Sequence, residues 1–150
     1  MRIVEISRKE CIDLLNRVSI GRLACSKDDQ PFVVPICFAH EKDHLYFFST
    51  VGKKIQWMRK NPKVCLQVDE IAGRSRWASV VVIGSYVELD GRRHAAEIEH
   101  AKELLGQRAE WWELPLVERR EHSGDSSLEL VFFRVDIRSM TGLSGSPEAP

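Results

Sequence analysis

The segment STVGKKIQWMRKNP, residues 49–62, sets two adjacent lysines, Lys53 and Lys54, in the first turn of a short helix that Gly52 opens and Asn61-Pro62 closes. That end of a helix is already partly positive, so a cation there is unfavourable by roughly 0.3–1 kcal/mol and an anion is favoured. Lys53, Lys54, Arg59, Lys60 and Lys63 give residues 51–68 a local excess of +5, with no acid among them, in a chain whose formal net charge is zero. A phosphate monoester, with about −1.5 to −2 charges at pH 7, suits this arrangement. Free N–H groups at the helix start would cradle it. Gly52 would let the backbone approach closely, and Ser49 and Thr50 could donate hydroxyl bonds. The alternative reading of the lysines is a solvated cationic surface.

Balanced charge, 22 basic against 22 acidic residues, gives no global field for nucleic acid or an anionic membrane. A phosphate-recognising module for RNA or phosphoprotein could use only the 53–63 face, and Trp57 is the one aromatic interleaved there, which argues against nucleic acid as a partner. No apolar run reaches the ~20 residues of a membrane span. The first residues, MRIVEISRKE, have no apolar targeting core, so a cytoplasmic location is expected. Cys11, Cys25, Cys37 and Cys65 lack metal or disulfide spacing and are expected to be buried free thiols. His40 and His44 bracket a turn and could meet across it, but two histidines alone do not make a metal site. No metal is expected.

The elements that must position the lysines follow from pattern. SRKE, residues 7–10, is a capping box, with Ile12, Leu15 and Leu14 giving a helical stripe over 7–17. Strands are expected over 19–26, 31–40, 45–50, 63–70, 77–89 and 127–142, with a polar turn at 27–31 and a hairpin turn at 40–44. The run 31–40 is apolar on both faces, as a central strand is. Pro35 within it calls for a bulge, an edge or a ligand beside the backbone. Val131, Phe133, Val135 and Ile137 share one side of the last strand. Helical sequence covers 92–106, and 108–120 reads as broken helix. The class is therefore α+β, mainly β, with six antiparallel strands closing a barrel or sandwich. One domain spans 1–142, and 143–150 reads as a flexible tail.

The ordered set IGRLACS…QPFVVPICFAHEKDHLYFFST, GKKIQWMRKNPKVCLQVD, WASVVVIGSYVEL and FRVDIRSMTG resembles the pyridoxamine 5′-phosphate oxidase-related split β-barrel family of FMN-binding proteins. Its nearest match is the subgroup containing nitroimidazole-resistance proteins. The resemblance implies a six-stranded antiparallel split β-barrel with flanking helices, acting as a homodimer with FMN in two interfacial clefts. By position, Lys53 and Lys54 match the basic pair on the FMN phosphate. Phe48 and Ser49 match the end of the strand lining the flavin. Val34, Pro35 and Ile36 match the strand beside the isoalloxazine ring. Ser79, flanked by Trp77 and Val80, matches the position that contacts the ring's pyrimidine edge, where the oxidases carry an amide. The C-terminal arginine segment of those oxidases has no counterpart in SMTGLSGSPEAP, which argues against vitamin B6 oxidation.

The function this implies is an FMN-dependent oxidoreductase exchanging electrons with a small-molecule donor and acceptor. No catalytic residue is named, because the cofactor would carry the hydride chemistry. A non-catalytic flavin or haem carrier or sensor of the same fold is the alternative, and some relatives of this barrel bind a deazaflavin. The paired Trp111-Trp112 in the charge-rich stretch 92–126 would pack against the barrel or cover the cleft, and packing is the preferred reading.

Overall fold

The computed structural model describes residues 1–108 and 129–148. The chain order is β1 (Arg2–Glu5), α1 (Arg8–Arg17), β2 (Ile20–Lys27), β3 (Gln30–Cys37), β4 (Ala39–Glu41), β5 (His44–Thr50), α2 (Lys53–Lys60), β6 (Lys63–Gly73), β7 (Arg76–Leu89), α3 (Ala95–Gly106) and β8 (Leu130–Ser146). The expected broken helix over 108–120, apart from its first residue, and the paired tryptophans, the loop at 122–126 and His122 lie outside the described residues.

All pairings are antiparallel, in the order β3-β2-β6-β7-β8-β5-β4, with β1 added beside β8. The sheet therefore has eight strands, not six. The two additions, β1 and β4, have four and three residues, too short for alternation to show in sequence. Nor does β8 stop at Gly142. Leu143–Ser146 pair with Glu5–Arg2 on one side, and Leu143–Gly145 pair with Ser79–Trp77 on the other. The expected tail is thus strand as far as Ser146, because small and polar residues are accommodated where both neighbours supply ladder bonds.

The barrel interior holds Leu23, Phe47, Leu66, Val68, Val80, Val82, Phe133 and Val135, and α1 and α2 close it with Cys11, Leu14, Leu15, Ile55 and Met58. The Ser7 hydroxyl caps Glu10 N–H at 3.2 Å, while the Glu10 carboxylate accepts from Ser7 N–H at 3.4 Å. A separate cluster of Tyr46, Leu89, Ala101, Leu105 and Phe132 seats α3 on the outside of β5 and β8.

The β2–β3 turn is two residues long, and both Asp28 and Asp29 have positive φ, 51° and 63°. That conformation matches the strand twist. It also fixes the ladder phase: Lys27 and Gln30 close the hairpin, so Pro31 and Pro35, opposite Ser26 and Arg22, occupy the non-bonded positions. β3 is an edge strand rather than the central one expected. Of the explanations open for Pro35 the edge accounts for it, since a proline aimed at an open edge sacrifices no ladder bond. The strand's apolar faces have other uses: Phe32 and Ile36 pack on the core, and Val33 stands 59% exposed.

Candidate functional site

Helix α2 opens on Gly52 with no side-chain cap. Its first helical bond runs from Gln56 N–H to the Gly52 carbonyl at 3.0 Å, which leaves the N–H groups of Lys53, Lys54 and Ile55 pointing out of the first turn. Gly52 has extended backbone, φ −160° and ψ −159°, a conformation open to other residues. Among the described residues, a Cβ there would meet only the Thr50 carbonyl, at 4.0 Å. Open space thus lies above the helix start, and a side chain would fill it.

Lys54 is half-buried beside Cys25, and burial holds its pKa below the ordinary lysine value. Among the described residues it has no ion pair or hydrogen bond. A desolvated cation without a counter-ion is unfavourable unless an anion joins it. Lys53 takes a different direction. It is exposed, and its ammonium lies 4.8 Å from the Phe32 ring centre and 4.7 Å from that of Trp57.

The five cations of residues 51–68 do not converge. Arg59 and Lys60 occupy the last turn of α2, where cations complement the dipole. Arg59 is committed to Glu88 in a two-point pair at 2.7 and 3.1 Å, which raises the Arg59 pKa and lowers that of Glu88. Lys63 is in β6, opposite Ser85. Helical rotation separates these residues, and only Lys53 and Lys54 remain at the N-terminus.

Strand alternation also divides the other expected site residues. Val34 and Ile36 stand opposite Leu23 and Gly21 on the inner face of the sheet. Val80 is 0% exposed in the core, so its side chain is unavailable to any ligand. Ser49 is buried and donates to the Thr50 carbonyl at 3.0 Å, so its hydroxyl is spent within the chain. Phe48 packs on the α3 side, and Thr50 shares that face opposite Leu130. Pro35, Trp77 and Ser79 lie on the outer face of β3 and β7.

That outer face carries a polar network invisible to single-strand reading. Gln67 Nε2 donates to Asp69 Oδ2 at 2.8 Å and to Ser79 Oγ at 3.2 Å. Arg22 Nη1 reaches Asp69 Oδ2 at 3.3 Å. With its oxygen accepting from Gln67, the Ser79 hydroxyl keeps its proton for another acceptor. Gln67 and Asp69 were missed; their alternation with Cys65 in the apolar run KVCLQVDE marks a shared face. Ser79 separates two depressions. One, of about 470 Å3, is lined by Glu5, Ile6, Val81, Met140, Thr141 and Leu143. The other, of about 430 Å3, is lined by Gln67, Asp69, Ile71, Arg74 and Trp77. Around them the face is apolar and open: Val33, Ile71, Ile83 and Leu143 are 59, 71, 51 and 45% exposed.

The described histidines are engaged apart from this region. His40 contacts Asn16 and the Lys42 carbonyl, and His44 contacts Asp136, so the pair does not meet across its turn. Cys11 and Cys25 are buried as expected, whereas Cys37 and Cys65 are half-buried, and all four are free thiols. Burial raises the thiol pKa of Cys11, Cys25 and Cys37, which suits packing rather than nucleophilic chemistry. No described helix is long and apolar enough to cross a membrane.

The family model described as pyridoxamine 5′-phosphate oxidase matches residues 7–143. The chain belongs to the pyridoxamine 5′-phosphate oxidase family. A Rhizobium meliloti (strain 1021) protein of uncharacterised function is 45% identical over 141 residues, 91% of each chain. The crystal structure of a FAD-binding protein from Mesorhizobium loti is 42% identical, with a TM-score of 0.80 over 97% of this chain and 100% of that one. A Bacteroides thetaiotaomicron protein assigned to 5-nitroimidazole antibiotic resistance shares the fold, at 17% identity and a TM-score of 0.70, over 95% of this chain and 87% of that one. The split-barrel class and the nitroimidazole-resistance likeness read from the ordered motifs both hold.

Proposed function

We propose that this chain is a flavin-binding protein whose flavin phosphate sits at the N-terminus of α2, and that it serves a flavin-dependent oxidoreduction of a small molecule. The observation that carries the reading is Lys54: a half-buried, desolvated ammonium with no counter-ion among the described residues, beside an uncapped helix start and a glycine whose missing Cβ leaves the approach open. The likeness to a FAD-binding protein at 42% identity supports a flavin as the phosphate's bearer. FMN is the smallest flavin that offers the phosphate.

Bound flavin supplies hydride and electron transfer; the residues of this chain hold and orient it. Lys54 and the first-turn N–H groups neutralise the phosphate. Lys53 adds charge at the rim. The edge of β3 at Val34, Pro35 and Ile36 meets the ring system through backbone, since the Val34 and Ile36 side chains are on the inner face. Ser79, oriented by Gln67, donates to a ring oxygen. Phe48, Ser49 and Thr50 support the strand that delivers α2, and Trp77 and Val80 hold Ser79 in place from either side.

The same reading makes the protein a homodimer. Val33, Ile71, Ile83 and Leu143 form an uncovered apolar sheet face, and such faces mark association surfaces. A second copy seated there would wall in the flavin at the junction, where cofactor clefts commonly lie. The absorption spectrum of the purified protein, before and after added FMN, tests the cofactor. A flavin spectrum with a bound-state shift is expected; no flavin and no uptake would refute the proposal. Turnover of an electron acceptor by the reduced protein separates an oxidoreductase from a carrier.

A further inference from the structure

Gln67 has both amide hydrogens committed on the outer face of the sheet. One goes to Asp69 Oδ2 at 2.8 Å and the other to Ser79 Oγ at 3.2 Å. The amide cannot turn over, because Oε1 would then face the Asp69 carboxylate, acceptor against acceptor. Asp69 and Ser79 are direct partners in the β6–β7 ladder, which sets their Cβ atoms about 4.5–5.5 Å apart on one face. Arg22 Nη1 also reaches Asp69 Oδ2, at 3.3 Å. Among the described residues, Asp69 Oδ1 has no partner and the Ser79 hydroxyl proton has no acceptor. Both groups line the depression of about 430 Å3 that Trp77 also lines. Trp77 is itself fixed: its indole N–H points at Met1 Sδ, 3.4 Å away, and its ring lies against Gly145, where a Cβ would collide with it.

A donor and an acceptor side by side complement an imide edge, a ring carbonyl next to a ring N–H. The pyrimidine ring of a flavin presents that edge, and riboflavin, FMN and FAD share it. We propose that Asp69 accepts the ring N–H beside the carbonyl bound by Ser79, and that its carboxylate lowers the reduction potential of the bound flavin, with Arg22 as the counterweight. The inference rests on the flavin reading above, and Lys54 has no part in it. Reduction at neutral pH adds negative charge to the pyrimidine edge. A carboxylate in contact with that edge therefore holds the oxidised ring better than the reduced one. Arg22 offsets part of this charge. The offset is incomplete, because the Arg22 side chain is exposed and makes a single bond to Asp69, and water screens an exposed pair. Gln67 fixes the carboxylate in place without adding charge. A lower potential makes the reduced ring a stronger electron donor, so the same contact biases the site toward reducing an acceptor.

The full chain, titrated with FMN and with 3-methyl-FMN, carries the first test. The methylated ring nitrogen bears no hydrogen, so the wild type is expected to bind 3-methyl-FMN at least about tenfold more weakly than FMN. The second test is the midpoint potential of bound FMN. Asp69→Asn keeps the shape and removes the charge. It should strengthen binding of reduced over oxidised FMN about tenfold, raising the two-electron midpoint by about 30 mV. Arg22→Met exposes the carboxylate and should lower the midpoint. A merely structural ion pair would not move the potential in opposite directions from its two ends. Equal affinity for FMN and 3-methyl-FMN in the wild type, or an unchanged or lowered midpoint in Asp69→Asn, would overturn the assignment of Asp69 and leave the phosphate site standing. A midpoint that does not fall in Arg22→Met would overturn the counterweight. Failure of FMN to bind at all would overturn both readings. The comparison of the two flavins requires no variant, so it decides the question even if the substituted chains do not fold.

Discussion

Lys54→Met is the sharpest perturbation of the candidate site, because it separates binding from folding. The methionine keeps most of the side-chain volume and removes the charge. A hydrogen bond to a charged group contributes about 1.5–3 kcal/mol, and the dipole share of roughly 0.3–1 kcal/mol survives because the backbone N–H groups of α2 are untouched. FMN affinity should therefore fall about 10- to 150-fold. Riboflavin lacks the phosphate, so its affinity should change by less than about twofold.

Stability should move the other way. Burial lowers the Lys54 pKa in the folded chain, so between the folded and unfolded values the unfolded chain binds more protons and stability rises with pH. Below that interval the desolvated charge weighs against folding. Removing it should raise the urea midpoint of the flavin-free protein at neutral pH. Isothermal titration with both ligands, together with urea melts of the flavin-free form, provides the assay. Equal losses of FMN and riboflavin, or a lowered urea midpoint in the flavin-free variant, would refute the assigned role.

Ile83→Glu puts a charge on the apolar outer face and should convert a dimer to monomer in sedimentation velocity; an unchanged dimer would place the interface elsewhere. Gly84→Ala should destabilise by about 1–3 kcal/mol, read by urea denaturation, because its Cβ would collide with the Asp136 carbonyl and the Val135 side chain at the β7–β8 bulge. Glu88 is held below the ordinary carboxylate range by Arg59 and the Tyr86 hydroxyl. Its contribution is present above the unfolded pKa and is lost as pH falls through the folded one. Arg59→Met should therefore flatten the loss of stability between about pH 5 and 3, and an unchanged acid limb in urea melts would rule that out.

The local elements were legible because their signals are local. Ser7 and Glu10 define the start of α1, Asn61-Pro62 ends α2, and the 127–142 run keeps Val131, Phe133 and Val135 on the core side, all as read. Each depends on residues within a turn or on strict alternation. The candidate anion site was proposed from a signal of the same kind: two lysines and a glycine sit together at one helix start. The short strands β1 and β4 escaped, since three or four residues show no period and gain their pairing from β8 and β5.

What the sequence by itself determined, then, was the family, the antiparallel barrel and the placing of an uncompensated positive charge at the head of α2, since propensity, patterning and capping act between near neighbours. Only the tertiary structure decided which cations remain free. Glu88, 29 residues from Arg59, removes that arginine from the cluster; Phe32, arriving from β3, turns Lys53 aside; and Gln67 on β6 orients Ser79 on β7. Such pairings depend on strand register and helix packing across the fold, and no spacing along the chain encodes which side chains meet there.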